Sequence, residues 1–195
     1  VSIAVRTLGG GELHAALDDL ARLRITVFAA FPYLYDGSAA YERAYLAEFT
    51  AAADAVLVAA CDGQRIVGAA TASPLTGQDD YIRAPFVRAG IDPAGVFYFG
   101  ESVLLPEYRG RGIGHTFFDQ REAAARAWGA THASFCAVVR SPDHPGRPAG
   151  YVPLDAFWAK RGYAPVPGLT GEFSWAEHGE AAESPKPMQY WMRAL

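Results

Sequence analysis

The sequence predicts an α+β fold with mixed α/β character, and three observations predict it. Apolar runs of strand length alternate with segments of helical spacing in the order β-α-α-β-β-β-α-β-α-β-β. Asp62-Gly63 separates two apolar runs and is a strong hairpin signal. An apolar run over 96–105 then passes through a glycine-rich turn directly into a helical pattern. At 195 residues, 51% of them hydrophobic, the chain fits one domain over 1–195 with a good core.

Taken in order, residues 2–8 alternate loosely and predict a first strand. Residues 12–30 follow as a helix, because Leu13, Leu17, Leu20, Leu23 and Val27 share one stripe. Pro32 and Asp36-Gly37 break it, and Ser38 is placed to cap a second helix over 39–49. Residues 55–61 and 65–73 form the hairpin. Between them and the next strand, Pro74, Pro85 and Pro93 leave room for a short helix over 81–87. The strand over 96–105 is apolar enough to be buried, and the helix over 115–128 carries Phe117, Phe118, Arg121 and Ala125 at helical spacing. Residues 133–139 are continuously apolar, as a central strand is. A proline-rich loop leads to a short helix over 154–161, started by Pro153 and closed by Gly162-Tyr163. Residues 171–176 and 187–193 complete a final strand pair.

Composition excludes several classes. A net charge of −4 argues against a nucleic-acid-binding surface. No apolar run is long enough for a membrane span, and the strand-like start does not fit a signal peptide. Cys61 and Cys136 stand apart, so reduced thiols in a cytoplasmic protein are expected. None of His14, His115, His132, His144 and His178 has metal-ligand spacing, and no metal is expected.

The most informative stretch is Pro106-Glu107-Tyr108-Arg109-Gly110-Arg111-Gly112-Ile113-Gly114. A helix N-terminus reached through glycines is an anion site: unpaired N–H groups point outward and the helix dipole adds positive potential. Glycine lets the backbone approach the anion, and Arg109 and Arg111 add charge at the rim. A P-loop needs a lysine after its glycines, and the only lysines are Lys160 and Lys186. A dinucleotide fingerprint needs Gly-x-Gly-x-x-Gly, but its third glycine position is His115. Gly100-Glu101-Ser102-Val103-Leu104 lacks the last glycine of a hydrolase elbow, and Ser102 looks buried in mid-strand.

What remains is Arg109-x-x-Gly112-x-Gly114, preceded by Leu104-Leu105-Pro106-Glu107-Tyr108. This resembles the GNAT superfamily of acyl-CoA-dependent N-acyltransferases, whose signature Arg/Gln-x-x-Gly-x-Gly/Ala lies between the fourth strand and the next helix. Phe157-Trp158-Ala159-Lys160-Arg161-Gly162-Tyr163 looks like the same family's late aromatic helix end. The element order also matches, so the resemblance spans nearly the whole chain. It implies a mixed, mostly antiparallel, twisted sheet of about six to seven strands flanked by helices. It implies too that the sheet splays between the fourth and fifth strands, where the pantetheine arm of acetyl-CoA lies. By the same resemblance Val103, Leu104 and Leu105 pair with pantetheine and hold the thioester. Arg109, Gly110, Arg111, Gly112, Ile113 and Gly114 hold the pyrophosphate, and Phe157 and Trp158 border the cofactor.

The implied reaction is acetyl transfer from acetyl-CoA to a primary amine within a ternary complex. The acceptor is a small-molecule or protein amine. Glu101, in an otherwise apolar strand, is the first choice for general base, since Phe97, Phe99, Val103 and Leu105 would desolvate it. Strand alternation puts it on the face of Phe99, Val103 and Leu105. Its alternative is a structural acid bonded to a neighbouring arginine or to backbone. The family's usual acid, a tyrosine five residues before the final aromatic, is here Trp158; Tyr151 and Tyr163 are the nearby substitutes, and the thiolate leaving unaided is a further option. Cys136 reads as core packing. Tyr33 and Tyr35, between the first two helices, and Arg140 and His144, in the loop after the fifth strand, are expected to border the acceptor. A packed or solvated loop is the alternative for each. The exposed final strands suggest a homodimer. Two competing functions stay open: a non-catalytic acyl-CoA-binding sensor, and an ATP- or dinucleotide-binding enzyme.

Overall fold

The computed structural model describes residues 3–195. Its first strand is β1 (Ala4–Leu8), so the expected start at Ser2 lies outside the described residues. The helix expected over 12–30 is two helices, α1 (Gly10–Ala15) and α2 (Leu17–Phe28). They meet at Ala16, whose N–H lies 3.1 Å from the Glu12 carbonyl and 3.2 Å from that of Leu13. This shared bond tightens the turn without ending the helical path. Ser38 caps α3 (Ala39–Ala51) as expected, its Oγ accepting from the Tyr41 N–H at 3.2 Å.

Strands β2 (Val56–Asp62) and β3 (Arg65–Pro74) form the hairpin, with Gly63 at φ +60° in its turn. The short helix α4 (Asp80–Arg88) precedes β4 (Val96–Leu104), and α5 (Ile113–Trp128) follows the glycine turn. Then come β5 (His132–Val138) and α6 (Asp155–Lys160). The last two strands, β6 (Ala164–Trp175) and β7 (Ser184–Ala194), are longer than the sequence suggested. The missing lengths contain Pro165, Pro167 and Pro185, which lack an N–H and argue against a strand. The sheet tolerates them because β6 lies at its edge, and because β7 before Met188 pairs with β6 alone.

The described strands make one seven-stranded sheet in the order β1-β2-β3-β4-β5-β7-β6. Every neighbouring pair is antiparallel except β4 and β5. That parallel pair is short: Val96, Phe97 and Tyr98 face His132, Ala133 and Ser134, and the ladder then stops. Beyond Tyr98 the two strands diverge, which is the expected splay. Three apolar clusters hold the sheet. One joins Leu20, Leu23 and Leu46 to β2 and β3. A second packs Phe97, Phe99, Phe118, Phe135, Tyr163 and Trp191 together, and a third joins Leu75, Phe86, Tyr98 and Tyr190. Each such buried side chain contributes about 1.5–3 kcal/mol. No helix among the described residues is long and apolar enough to cross a membrane.

Candidate active site

The glycine turn is shaped by conformation rather than crowding. Gly110 has φ +75° and Gly112, the N-cap of α5, has φ +81°, while a Cβ at either would meet nothing within 4 Å. Both therefore occupy left-handed backbone that disfavours any side chain. Upstream, the Tyr108 and Arg109 N–H groups bond back to Leu105 and Pro106; downstream, the His115 N–H bonds to Gly112. Among the described residues, the N–H groups of 110–114 donate to no protein acceptor. They form a run of free donors at the positive end of α5. The buried Tyr108 pins the turn by donating its hydroxyl to Asp62 at 2.8 Å. Arg111 lies over the Tyr108 ring and donates to the Glu107 carbonyl at 2.8 Å. Arg109 donates to the Leu104 carbonyl at 3.2 Å. Both guanidiniums stay at the rim, exposed.

Strand β4 carries a bulge where the splay opens. Ala70 of β3 faces Ser102, yet Ala72 faces Phe99, so Gly100 and Glu101 together oppose Thr71. A Cβ on Gly100 would stand 2.6 Å from Thr71 Oγ1, so only glycine permits the approach. The same Oγ1 accepts the Glu101 N–H at 3.1 Å. The extra residue reverses the strand's facing. Phe99 packs against Phe118 of α5, whereas Glu101 turns toward α2 and α3. The expectation that Glu101 shares the Phe99 face is thereby corrected, and so is that of a buried Ser102, which is exposed.

The surroundings of Glu101 are charged rather than apolar. Arg24 of α2 places Nη1 at 2.5 Å from Glu101 Oε1, an ion pair off hydrogen-bond alignment. Arg24 Nε also donates to Glu42 of α3, whose side chain is fully buried. Tyr45 donates to Glu101 Oε2 at 3.3 Å, and its ring lies 4.4 Å from the Arg24 guanidinium. Burial acts first on Arg24 and lowers its pKa, but Glu101, Tyr45 and Glu42 together outweigh it and raise the net value. Burial, then Glu101, pushes the Tyr45 hydroxyl well up, so it stays a proton donor. Two carboxylates thus share one arginine beside the mouth of the splay.

The profile of the acetyltransferase (GNAT) family matches residues 20–163. The chain belongs to the GNAT acetyltransferase family. Solved structures agree on the fold. Ribosomal-protein-alanine N-acetyltransferase from Brucella melitensis superposes with a TM-score of 0.63 at 12% identity, covering 98% of this chain and 99% of that one. A GNAT acetyltransferase from Streptococcus pneumoniae gives 0.60 at 11%, with all of both chains covered. The yncA protein from Salmonella typhimurium, solved with its cofactor acetyl-CoA, gives 0.62 at 9%, covering 100% and 95%. Curated proteins offer no match.

Within this GNAT fold the remaining sequence candidates separate. Val103 and Leu105 are buried and Leu104 half-buried at the β4 exit. Phe157 packs on His115 at 4.8 Å and stands 3.4 Å from where a Cβ of Gly114 would lie, so it closes one side of the turn. Trp158 is wedged between Phe135 at 5.0 Å and Trp191 at 5.2 Å, on the β5 side of the opening. Tyr151 packs edge-on against Phe31 at 4.7 Å and is half-buried. Tyr163 departs from expectation: its ring is 2% exposed among Phe99, Phe118 and Phe135, and its hydroxyl donates to Glu122 at 3.1 Å. It lies across the sheet from the Glu101 carboxylate and is core.

Arg140 also departs from expectation. It donates to the Pro32 carbonyl at 2.7 Å, to the Tyr33 carbonyl at 3.2 Å, and to Glu177 at 2.5 Å. Its guanidinium is spent on clamping the 31–35 loop. His144 likewise closes its own loop, Nδ1 accepting the Gly146 N–H at 3.0 Å beside Phe31. Tyr33 sits between Phe28 and Trp175, and burial raises its hydroxyl with smaller contributions from Cys136, Tyr151 and Glu101. Burial, then Glu42, raises the Tyr35 hydroxyl. Sequence reasoning missed Arg24 and Tyr45. The signal for Arg24 was present: it lies four residues after Leu20 and three before Val27, on the apolar stripe of α2. A charge on a buried stripe needs a partner.

Proposed function

We propose that the chain is an N-acetyltransferase, one domain over 1–195, moving an acetyl group from acetyl-CoA to a primary amine in a ternary complex. The observation that carries this is the run of unpaired N–H groups at 110–114, opening beside a β4–β5 splay that holds a carboxylate at its bulge. Phosphate oxygens suit the free donors, and an extended pantetheine amide suits the unpaired edge of β4 beyond Tyr98. Holding thioester and amine together supplies much of the rate. An acceptor ammonium must lose a proton before attack, and Glu101 is the nearest carboxylate, acting directly or through water. β4 N–H groups are suited to the charge that develops on the thioester oxygen. Tyr151 is the remaining tyrosine to protonate the leaving thiolate, and Tyr33 and Tyr35 border the acceptor. Direct transfer is favoured over an acyl-cysteine, because burial pushes the Cys136 thiol up to about 12 while its Sγ contacts Tyr98 Oη at 3.1 Å.

A second reading, a non-catalytic acyl-CoA sensor, draws on two observations: the Arg24 ion pair on Glu101, and Trp158 in place of a tyrosine. Thermal unfolding with acetyl-CoA, CoA, ATP and NAD separates these readings from a nucleotide enzyme. A ligand at a hundredfold excess over its Kd stabilises by about 2.7 kcal/mol. Shifts with acetyl-CoA and CoA alone are expected, followed by thiol release with a panel of primary amines. Binding without thiol release across the panel would leave the sensor; no shift with either CoA species would end both.

A further inference from the structure

The GNAT fold here contains a buried cation with no anion beside it. Arg121, on α5, is 1% exposed, and no carboxylate among the described residues lies within ion-pair distance. Its neighbour in sequence, Glu122, is occupied by Arg161, Arg193 and Tyr163. Burying an unpaired charge is costly, and such a group persists only where something specific repays it. Burial is the leading cause that lowers the Arg121 pKa, to about 10. The guanidinium lies against two aromatic rings that meet edge-to-face, 4.4 Å from the Phe99 centroid and 4.8 Å from that of Phe118.

One of its nitrogens reaches the bulge, while the buried Nη2 has no partner among the described residues. Nη1 lies 3.3 Å from the Thr71 carbonyl and 3.3 Å from the Glu101 carbonyl, and Nε donates to the Phe117 carbonyl at 3.1 Å. In an unbroken β3–β4 ladder these two strand carbonyls would have N–H partners. Where two residues oppose one, the ladder is interrupted and buried carbonyls need other donors. Thr71 Oγ1 satisfies the Glu101 N–H from the opposite side of the same step. The bulge is therefore held by three devices at once: a bare Cα at Gly100, a hydroxyl from β3, and a cation from α5.

We propose that Arg121 is the positioning residue of the reaction site: by holding the Glu101 and Thr71 carbonyls it fixes the β4 bulge, and with it both the Glu101 side chain and the free strand edge offered to the thioester. The kinetic part of this inference rests on the acetyl-transfer reading; the structural part does not. Arg121 touches backbone and not substrate, so its effect passes through β4.

The test uses Arg121→Met, Arg121→Lys and Gly100→Ala in the full chain. Native-state hydrogen exchange should show amides 99–103 losing protection in Arg121→Met while β2 keeps its own. With a reactive amine, kcat should fall by about a hundredfold, the size expected of a small misplacement of reacting groups. Acceptor KM should stay near wild type, and Arg121→Lys should recover part of kcat. Gly100→Ala, which drives a Cβ onto Thr71 without touching the cation, should reproduce the kcat loss. Should Arg121→Met fail to fold, the exchange and kcat of Arg121→Lys and Gly100→Ala are read instead. Wild-type exchange in β4 together with wild-type kcat in the variants would overturn the proposal. A wild-type protein that transfers no acetyl group would remove the acetyl-transfer reading, and the exchange result alone would then decide the role of Arg121 at the bulge.

Discussion

At the scale of single residues, the decisive question is the use of Glu101. A carboxylate general base contributes about a hundredfold to ten-thousandfold. Glu101→Gln should therefore lower kcat by that range with little change in acetyl-CoA KM, measured by thiol release. An unchanged kcat with a lowered unfolding midpoint would make Glu101 a structural partner of Arg24 and nothing more. Tyr163 supplies the opposite case. Tyr163→Phe removes a buried hydroxyl bonded to Glu122, and bonds to charged groups are worth about 1.5–3 kcal/mol. The expected outcome is lower stability in urea with kcat intact; a loss of kcat without loss of stability would restore Tyr163 as the acid. The sequence named both residues but not their neighbours. Glu101 was legible because an acid in an apolar strand stands out. Its facing was not, because a bulge inserts one residue and alternation cannot report that. Arg140 and His144 were read as loop charges facing substrate, whereas Arg140 is held by Glu177 and by the Pro32 and Tyr33 carbonyls, which tertiary structure alone brings in, and His144 turns back on the Gly146 N–H of its own loop.

At the scale of elements, the turn and helix α5 were the most legible part of the chain. Gly110, Gly112 and the following helical pattern imply left-handed backbone ahead of a helix N-terminus, which is what φ +75° and +81° describe. Gly112→Ala isolates this feature, because no neighbour obstructs the new Cβ and only backbone strain changes. It should cost about 1–2 kcal/mol and raise acetyl-CoA KM more than acceptor KM, by unfolding in urea and by initial rates. An equal stability loss with unchanged acetyl-CoA KM would detach the turn from the cofactor. The least legible elements were β6 and β7, where Pro165, Pro167 and Pro185 hid strand residues. Proline penalises a strand through the missing N–H, and only the sheet order shows which N–H groups would have had no partner.

At the scale of the whole molecule, tyrosines tie the sheet to its helices, and this has a consequence at high pH. Tyr98, Tyr45, Tyr163 and Tyr190 all have hydroxyls raised above the ordinary 10.0, in each case first by burial. Cys136 comes next for Tyr98 and Tyr190, Glu101 for Tyr45, and Glu122 for Tyr163. A raised folded-state value means that the folded chain holds protons the unfolded chain has released. The stability these groups contribute is whole below pH 10 and is lost as pH rises past the unfolded value toward the folded ones. They span three places: Tyr190 and Tyr98 between β4 and β7, Tyr45 on α3, and Tyr163 under α5. Their ionisation should therefore be cooperative rather than sequential. Titrated upward from neutral pH, the protein should keep its far-ultraviolet circular dichroism for as long as these buried hydroxyls hold their protons. The rise in tyrosinate absorbance that reports their ionisation should then coincide with the loss of that signal. Ionisation of all ten tyrosines in one smooth step, with secondary structure retained, would show that these hydroxyls reach water without unfolding the sheet.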